Sequence, residues 1–174
     1  MTGTIISVNG PIVKATGLKG AGMLDMAEVG PWKLIGEVIR FQGEIAVIQV
    51  YEDNTGLKPG DSVSTSGRPL SVLLGPGLIS NIYDGIQRPL ISLENITGSF
   101  ITKGVKASPL DTEKKWGLRV TAVQGEEVHP GALIGEITES SSVTHRVILP
   151  PGVKGSIEFI ATSGEYTIED EIYR

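Results

Sequence analysis

The sequence contains no cysteine. Disulfides, a thiol nucleophile and a thiolate-bound metal are therefore excluded, and the composition suits a reducing compartment. It contains no Gly-Lys dipeptide. A phosphate-binding loop of the form G-x-x-x-x-G-K-[ST] cannot be written anywhere in it. The backbone cradle, the phosphate-reaching lysine and the magnesium-binding hydroxyl of a nucleotide hydrolase thus have no local counterpart. Basic residues are in the minority, 15 against 20 acidic, for a net charge of −5. Nucleic-acid binding needs a clustered positive surface, so that class is disfavoured. No apolar run is long enough to cross a bilayer. The opening MTGTIISVNG lacks the basic region and apolar core of a secretory leader.

What is abundant is glycine, 23 residues, with 10 prolines and β-branched residues throughout 174 positions. That pattern predicts many short strands joined by tight turns, and the length suits one ordinary domain or two small ones. Residues 4–8 and 12–16 read as strands around the turn Asn9-Gly10-Pro11. Residues 34–41 and 44–51 form the clearest hairpin, closed by Gln42-Gly43. Its alternation is imperfect, as when both faces are partly covered. Pro59-Gly60-Asp61 is a turn, residues 62–65 a strand, and Leu70 to Leu74 a last one. Six or so strands within residues 1–74 imply a small closed barrel, since closure removes exposed edges.

The stretch GPGLISNIYDGIQRPL, Gly75 to Leu90, breaks the pattern. Leu78, Ile79, Ile82 and Ile86 recur at helical spacing, Asp84-Gly85 suggests an exit, and Arg88-Pro89 a stop. A short helix is expected there, followed by extended linker to residue 112. Residues 113–174 are β-rich again, with strands at 116–122, 145–149, 154–160 and 165–168. Their spacing, V-x-x-G-x-x-I-G from Val128 and P-x-G-x-x-G-x-I from Pro150, resembles the barrel-sandwich of lipoyl and biotinyl carrier domains. Carrier chemistry needs a lysine at the hairpin tip. The corresponding tip, Glu139 to Thr144, has none, so the fold is expected without the activity.

No residue constellation reads as catalytic, cofactor-binding or metal-binding. His129 sits before Pro130 in a turn and His145 enters a strand, neither at ligand spacing. Ser140, Ser141 and Ser142 near His145 lack a nucleophile-elbow motif and an orienting acid. Glu126-Glu127 and Glu169-Asp170-Glu171 lack the alternating oxygens of a calcium loop. The Gly-rich loop Gly17 to Gly22 precedes a strand-like segment, not the helix a phosphate site requires. Trp32 and Trp116 are expected to be partly buried in cores rather than to anchor partners.

The central stretch carries more than its periodicity. GPGLISNIYDGIQRPL resembles the segment after the N-terminal barrel in the catalytic A subunit of V-type and archaeal A-type rotary ATPases. GTIISVNGPIV, MAEVG and LIGEVIRFQGEIAVIQVYEDNTGLKPGDSV resemble that barrel. GSFITKGVKASPLDTEKKW and VILPPGVKGSI resemble the inserted bulge, or non-homologous region. The resemblance runs nearly end to end. It implies an all-β architecture of six-stranded barrel (1–74), short helix and linker (75–112) and bulge domain (113–174). It also implies that the barrel meets B subunits in the crown of a catalytic hexamer and the bulge meets the peripheral stalk. The complex would stand on the cytoplasmic face of a membrane that this chain does not enter, and would move protons or sodium. ATP or ADP with Mg²⁺ would bind only in the full-length protein, whose phosphate loop would follow Arg174. The early start of the barrel leans toward an archaeal or bacterial enzyme. The competing expectation is a stand-alone β-barrel binding or adaptor module without nucleotide chemistry.

Overall fold

The computed structural model describes residues 1–79 and 81–174. It separates into two compact units: Met1–Val72 with Tyr83–Ala107, and Leu73–Ile82 with Ser108–Arg174. Among the described residues, no helix is long and apolar enough to cross a membrane.

The first unit is built on six strands: β1 (Thr2–Asn9), β2 (Ile12–Thr16), β3 (Asp25–Val29), β4 (Leu34–Gln42), β5 (Ile45–Val50) and β6 (Ser62–Pro69). They close in the order β1-β2-β5-β4-β3-β6, and β6 returns to β1. Every neighbouring pair is antiparallel. Side chains alternate across each strand, so one set fills the interior. That set includes Ile5, Val13, Val29, Leu34, Val38, Ile48 and Val63, all essentially without solvent exposure. Burying each such side chain contributes about 1.5–3 kcal/mol.

The imperfect alternation of residues 34–41 has a specific cause. Leu34, Gly36 and Val38 face inward, and the register then shifts between Val38 and Arg40. The bulge at Ile39 reverses the parity and brings Phe41 to the core. A bulge sharpens local twist, which a small closed barrel needs. The turn after β4 falls where expected, with Gly43 at φ +61°, a left-handed position glycine occupies at little cost. Strand β6 runs further than residues 62–65. The strand expected from Leu70 to Leu74 does not form; those residues are irregular.

The helix also lies elsewhere than expected. It is α1 (Leu90–Thr97), inside what the sequence presents as extended linker. Pro89 is its N-cap, with φ −65°, and Gly98 closes it by donating to the Glu94 carbonyl at 2.8 Å. Proline lacks an N–H, which the first turn does not require, so here it starts a helix instead of ending one. The described residues of the expected helix, 75–79 and 81–88, are turns and irregular chain apart from an isolated bridge between Tyr83 and Pro89; Ser80 lies outside the described residues.

The second unit carries a sheet in the order β10-β9-β7-β12 and a separate pair, β11-β8. These are β7 (Trp116–Val120), β8 (Glu127–Val128), β9 (Leu133–Thr138), β10 (Thr144–Ile148), β11 (Gly155–Ser156) and β12 (Gly164–Tyr166). The strand expected over 154–160 is reduced to β11 and one bridge between Ile160 and Tyr173. Trp116, Leu118 and Ile137 form one core; Val128, Ile134, Leu149 and Ile157 form another, and Val147 packs on both. On the outer face Glu136 stands opposite Arg119 on β7 and Arg146 on β10, and is paired with each. Cross-strand charge pairs of this kind favour one register.

Candidate functional site

Two features rise above ordinary packing, one in each unit. In the first unit, Arg88 is buried, 9% exposed, and tied to three other residues. Its Nε donates to Asp84 Oδ2 at 2.8 Å; its Nη1 donates to Glu52 Oε2 at 2.8 Å and to the Val105 carbonyl at 2.9 Å. Asp84 Oδ1 accepts the backbone N–H of Ile86 at 3.1 Å and of Arg88 at 2.8 Å, which folds residues 84–88 into a closed turn. Glu52, just past β5, also accepts the N–H of Gly104 at 3.0 Å and of Ile35 at 3.4 Å. Burial pushes the Asp84 carboxyl up, but the bonds from Arg88 and Ile86 outweigh it and hold it below the usual carboxylate range. Burial likewise opposes the Arg88 charge, and its bonds to Asp84 and Glu52 overcome that.

Beside this cluster lies a cleft of about 240 Å³ that also exposes Glu28, Lys33 and Lys106. Glu28 accepts from Lys106 at 2.5 Å and approaches Lys33 at 3.8 Å. Three cations therefore face three carboxylates, each already paired. Among the described residues lining the cleft no spare base, acid or nucleophile emerges, and the arrangement acts as a tie. It fastens the segments 84–88 and 104–106 to the barrel. Lys103 extends it by stacking 4.3 Å from the Trp32 ring centroid and bonding the Thr55 carbonyl.

In the second unit an apolar groove of about 360 Å³ runs beside Trp116, Leu118, Ile137 and Val147, with His145, Glu169 and Asp170 among its polar lining. The hairpin tip expected from the carrier-like spacing has another task. Glu139 Oε1 accepts the N–H of Gly77 at 2.8 Å and of Ile79 at 3.3 Å, so it anchors the segment that crosses from the barrel sequence.

The remaining sequence candidates are dispersed. His129 is exposed in the turn between β8 and β9, whereas His145 is half-buried on β10 opposite Ile137. Ser140 and Ser142 bond each other loosely at 3.5 Å within the β9–β10 turn. Glu126 caps its own turn through the Val123 N–H at 3.0 Å. Asp170 accepts from the Thr167 backbone at 2.7 Å and hydroxyl at 2.9 Å, and Glu171 is held by Arg174. Among the described residues, no three His, Asp or Glu side chains converge as a metal site would require. The loop Gly17 to Gly22 leads into β3, and the Gly22 N–H is taken by Asp25 at 2.8 Å. Trp116 is a core residue, 7% exposed, while Trp32 lies nearer the surface at 39%.

The Arg88 tie was invisible in the sequence except for the i, i+4 spacing of Asp84 and Arg88. Glu52, 36 residues away, carries no signal that would join it to them.

The molecule thus combines a closed six-stranded barrel with a following β domain, and comparison with known proteins agrees with that architecture. Residues 5–67 match the beta-barrel domain of the ATP synthase alpha/beta family, and residues 107–174 match the ATP synthase alpha/beta subunit barrel-sandwich domain. The chain is 46% identical over 170 residues to the V-type ATP synthase alpha chain of Halothermothrix orenii, covering 98% of this chain and 29% of that protein. It is 51% identical over 170 residues to the corresponding A-type ATP synthase protein, the A subunit, of Pyrococcus abyssi, covering 98% of this chain and 17% of that protein. A V-type ATP synthase alpha chain of Acetivibrio thermocellus is 48% identical over 170 residues, covering 98% of this chain and 29% of that protein. The chain belongs to the ATP synthase alpha/beta family, and these relatives match it across nearly its whole length. It spans under a third of the length of these curated relatives.

Proposed function

We propose that this chain is the non-catalytic N-terminal part of the A subunit of a V/A-type rotary ATP synthase. The observation that carries the reading is the ordered match of both domains, at about half identity over 98% of the chain, to proteins more than three times as long. Residues 1–74 serve as the barrel that meets B subunits in the crown of the catalytic hexamer. Residues 113–174 serve as the bulge that faces the peripheral stalk. The full-length protein makes or hydrolyses ATP with Mg²⁺ and couples it to proton or sodium movement at the cytoplasmic face of a membrane. This stretch contributes rigidity, not chemistry: it contains no Gly-Lys dipeptide, and its buried ionic cluster has every charge paired.

A closed barrel suits the role. It has no free strand edge to pair with a neighbour, so contacts in a ring would use side chains, which leaves the choice of partner specific. The tie at Arg88 holds the outgoing chain against the barrel, so force applied beyond it is passed to the ring. Calorimetric titration of the chain with MgATP should show no binding, and saturable micromolar binding would overturn the non-catalytic reading. Deleting residues 1–74 from the full-length protein should abolish hexamer formation with B subunits. A hexamer that forms without them would end the crown role and favour a stand-alone adaptor module.

A further inference from the structure

The charge of this protein is unevenly placed. The first unit holds nine Lys or Arg and nine Asp or Glu; the second holds six and eleven, so it accounts for the whole net charge of −5. The apolar groove lies entirely within that acidic unit. Its lining includes Glu169 and Asp170, both exposed, and no lysine or arginine. Two lysines temper the charge nearby: Lys114 lies 4.0 Å from the Trp116 ring centroid, and Lys115 acts on Asp170. A second observation points to the same place. Trp116 forms part of the groove wall, and its buried indole N–H has no acceptor among the described residues. A buried donor without a partner is uncommon in a folded protein.

From these features we propose that the groove docks a basic amphipathic helix from a partner protein. An apolar floor beside acidic side chains selects an occupant that offers apolar side chains flanked by cations. A helix with leucines at i, i+3 and i+4 and lysines beside them supplies both on one face. A volume of about 360 Å³ suits a few inserted side chains, as one helix face offers. Complementary charge would speed the encounter and exclude acidic helices. The proposal rests on the reading of the bulge as partner-facing and gives that partner its chemistry.

The test uses the whole chain, labelled with nitrogen-15, and its two indole N–H resonances, Trp116 in the groove unit and Trp32 in the barrel unit. A synthetic amphipathic Leu/Lys helix is titrated in, and then the same helix with Glu for every Lys. The Trp116 resonance should move and the Trp32 resonance should not. The acidic helix should bind about tenfold more weakly or worse, and added salt should narrow that gap. Glu169→Lys, an exposed position whose replacement leaves the core intact, should weaken the basic helix several-fold. Equal binding of both helices, movement of Trp32 instead of Trp116, or no binding of either overturns the proposal. So does a Trp116 shift that grows with protein concentration alone, which would mean a second copy fills the groove. If the helices fail to bind while the full-length protein loses its stalk partner on deletion of residues 113–174, the groove proposal falls and the partner-facing reading stands.

Discussion

Arg88→Met should destabilise the barrel unit more than any surface substitution. The change keeps an unbranched stem about as long as the aliphatic part of arginine and removes the charge and donors. It strands Glu52 and Asp84, whose side chains are only 8% and 19% exposed, without their cation. Removing one partner of a buried ion pair costs about 3–5 kcal/mol, because the remaining charge stays desolvated. Here the lower end applies. Asp84 keeps the N–H groups of Ile86 and Arg88, and Glu52 keeps those of Gly104 and Ile35. The expected loss is therefore about 3 kcal/mol, which for a unit of this size lowers Tm by roughly 10–20 °C. Guanidinium unfolding followed by Trp32 fluorescence, in a Trp116→Phe background, reads the barrel unit alone. The triple change Arg88→Met, Glu52→Gln, Asp84→Asn should recover part of the loss, since no unpaired charge remains. The pH dependence has a definite sign. The folded carboxyl of Asp84 is held below its unfolded value of about 3.8, so its contribution is present above that pH and is lost as pH falls through the folded value. The gap between the parent and Arg88→Met should thus shrink on acidification below about pH 4. A loss under about 1 kcal/mol, or a gap that does not close in acid, would refute the tie.

Two further substitutions separate packing from exposure. Gly104 has φ +73°, and a Cβ there would stand 2.5 Å from the Trp32 carbonyl oxygen, so Gly104→Ala should cost about 2 kcal/mol or more by the same unfolding assay. Phe100 is 85% exposed, and Phe100→Ser should leave stability within about 0.5 kcal/mol. A large loss on Phe100→Ser would mean the side chain is packed in solution.

Much of the barrel could be read from residue pattern because its strands are local and its turns are chemically marked. Gln42-Gly43 closes a hairpin between two β-branched runs. The bulge at Ile39 could not be placed, though its effect was visible as broken alternation. The helix lies elsewhere than the periodicity suggests, for a physical reason. Isoleucines at 79, 82 and 86 repeat with helical spacing, but Asp84 turns its side chain back on the N–H groups of Ile86 and Arg88 and closes a turn instead. Proline at 89 has two meanings, stop or start, and local sequence does not choose between them.

What the sequence determined by itself was chemical inventory and local geometry. The lack of cysteine and of a Gly-Lys pair removes whole classes of reaction, and the Gly-rich turns set short strands. What only the tertiary structure decided were the long-range meetings. Glu52 joins Arg88 across 36 positions, Glu139 takes the N–H of Gly77 across 62, and one groove gathers Trp116, Ile137 and Asp170. Such contacts depend on which strands become neighbours when the sheets form. That choice minimises exposed apolar surface and unpaired backbone over the whole chain at once, and no window of sequence contains it.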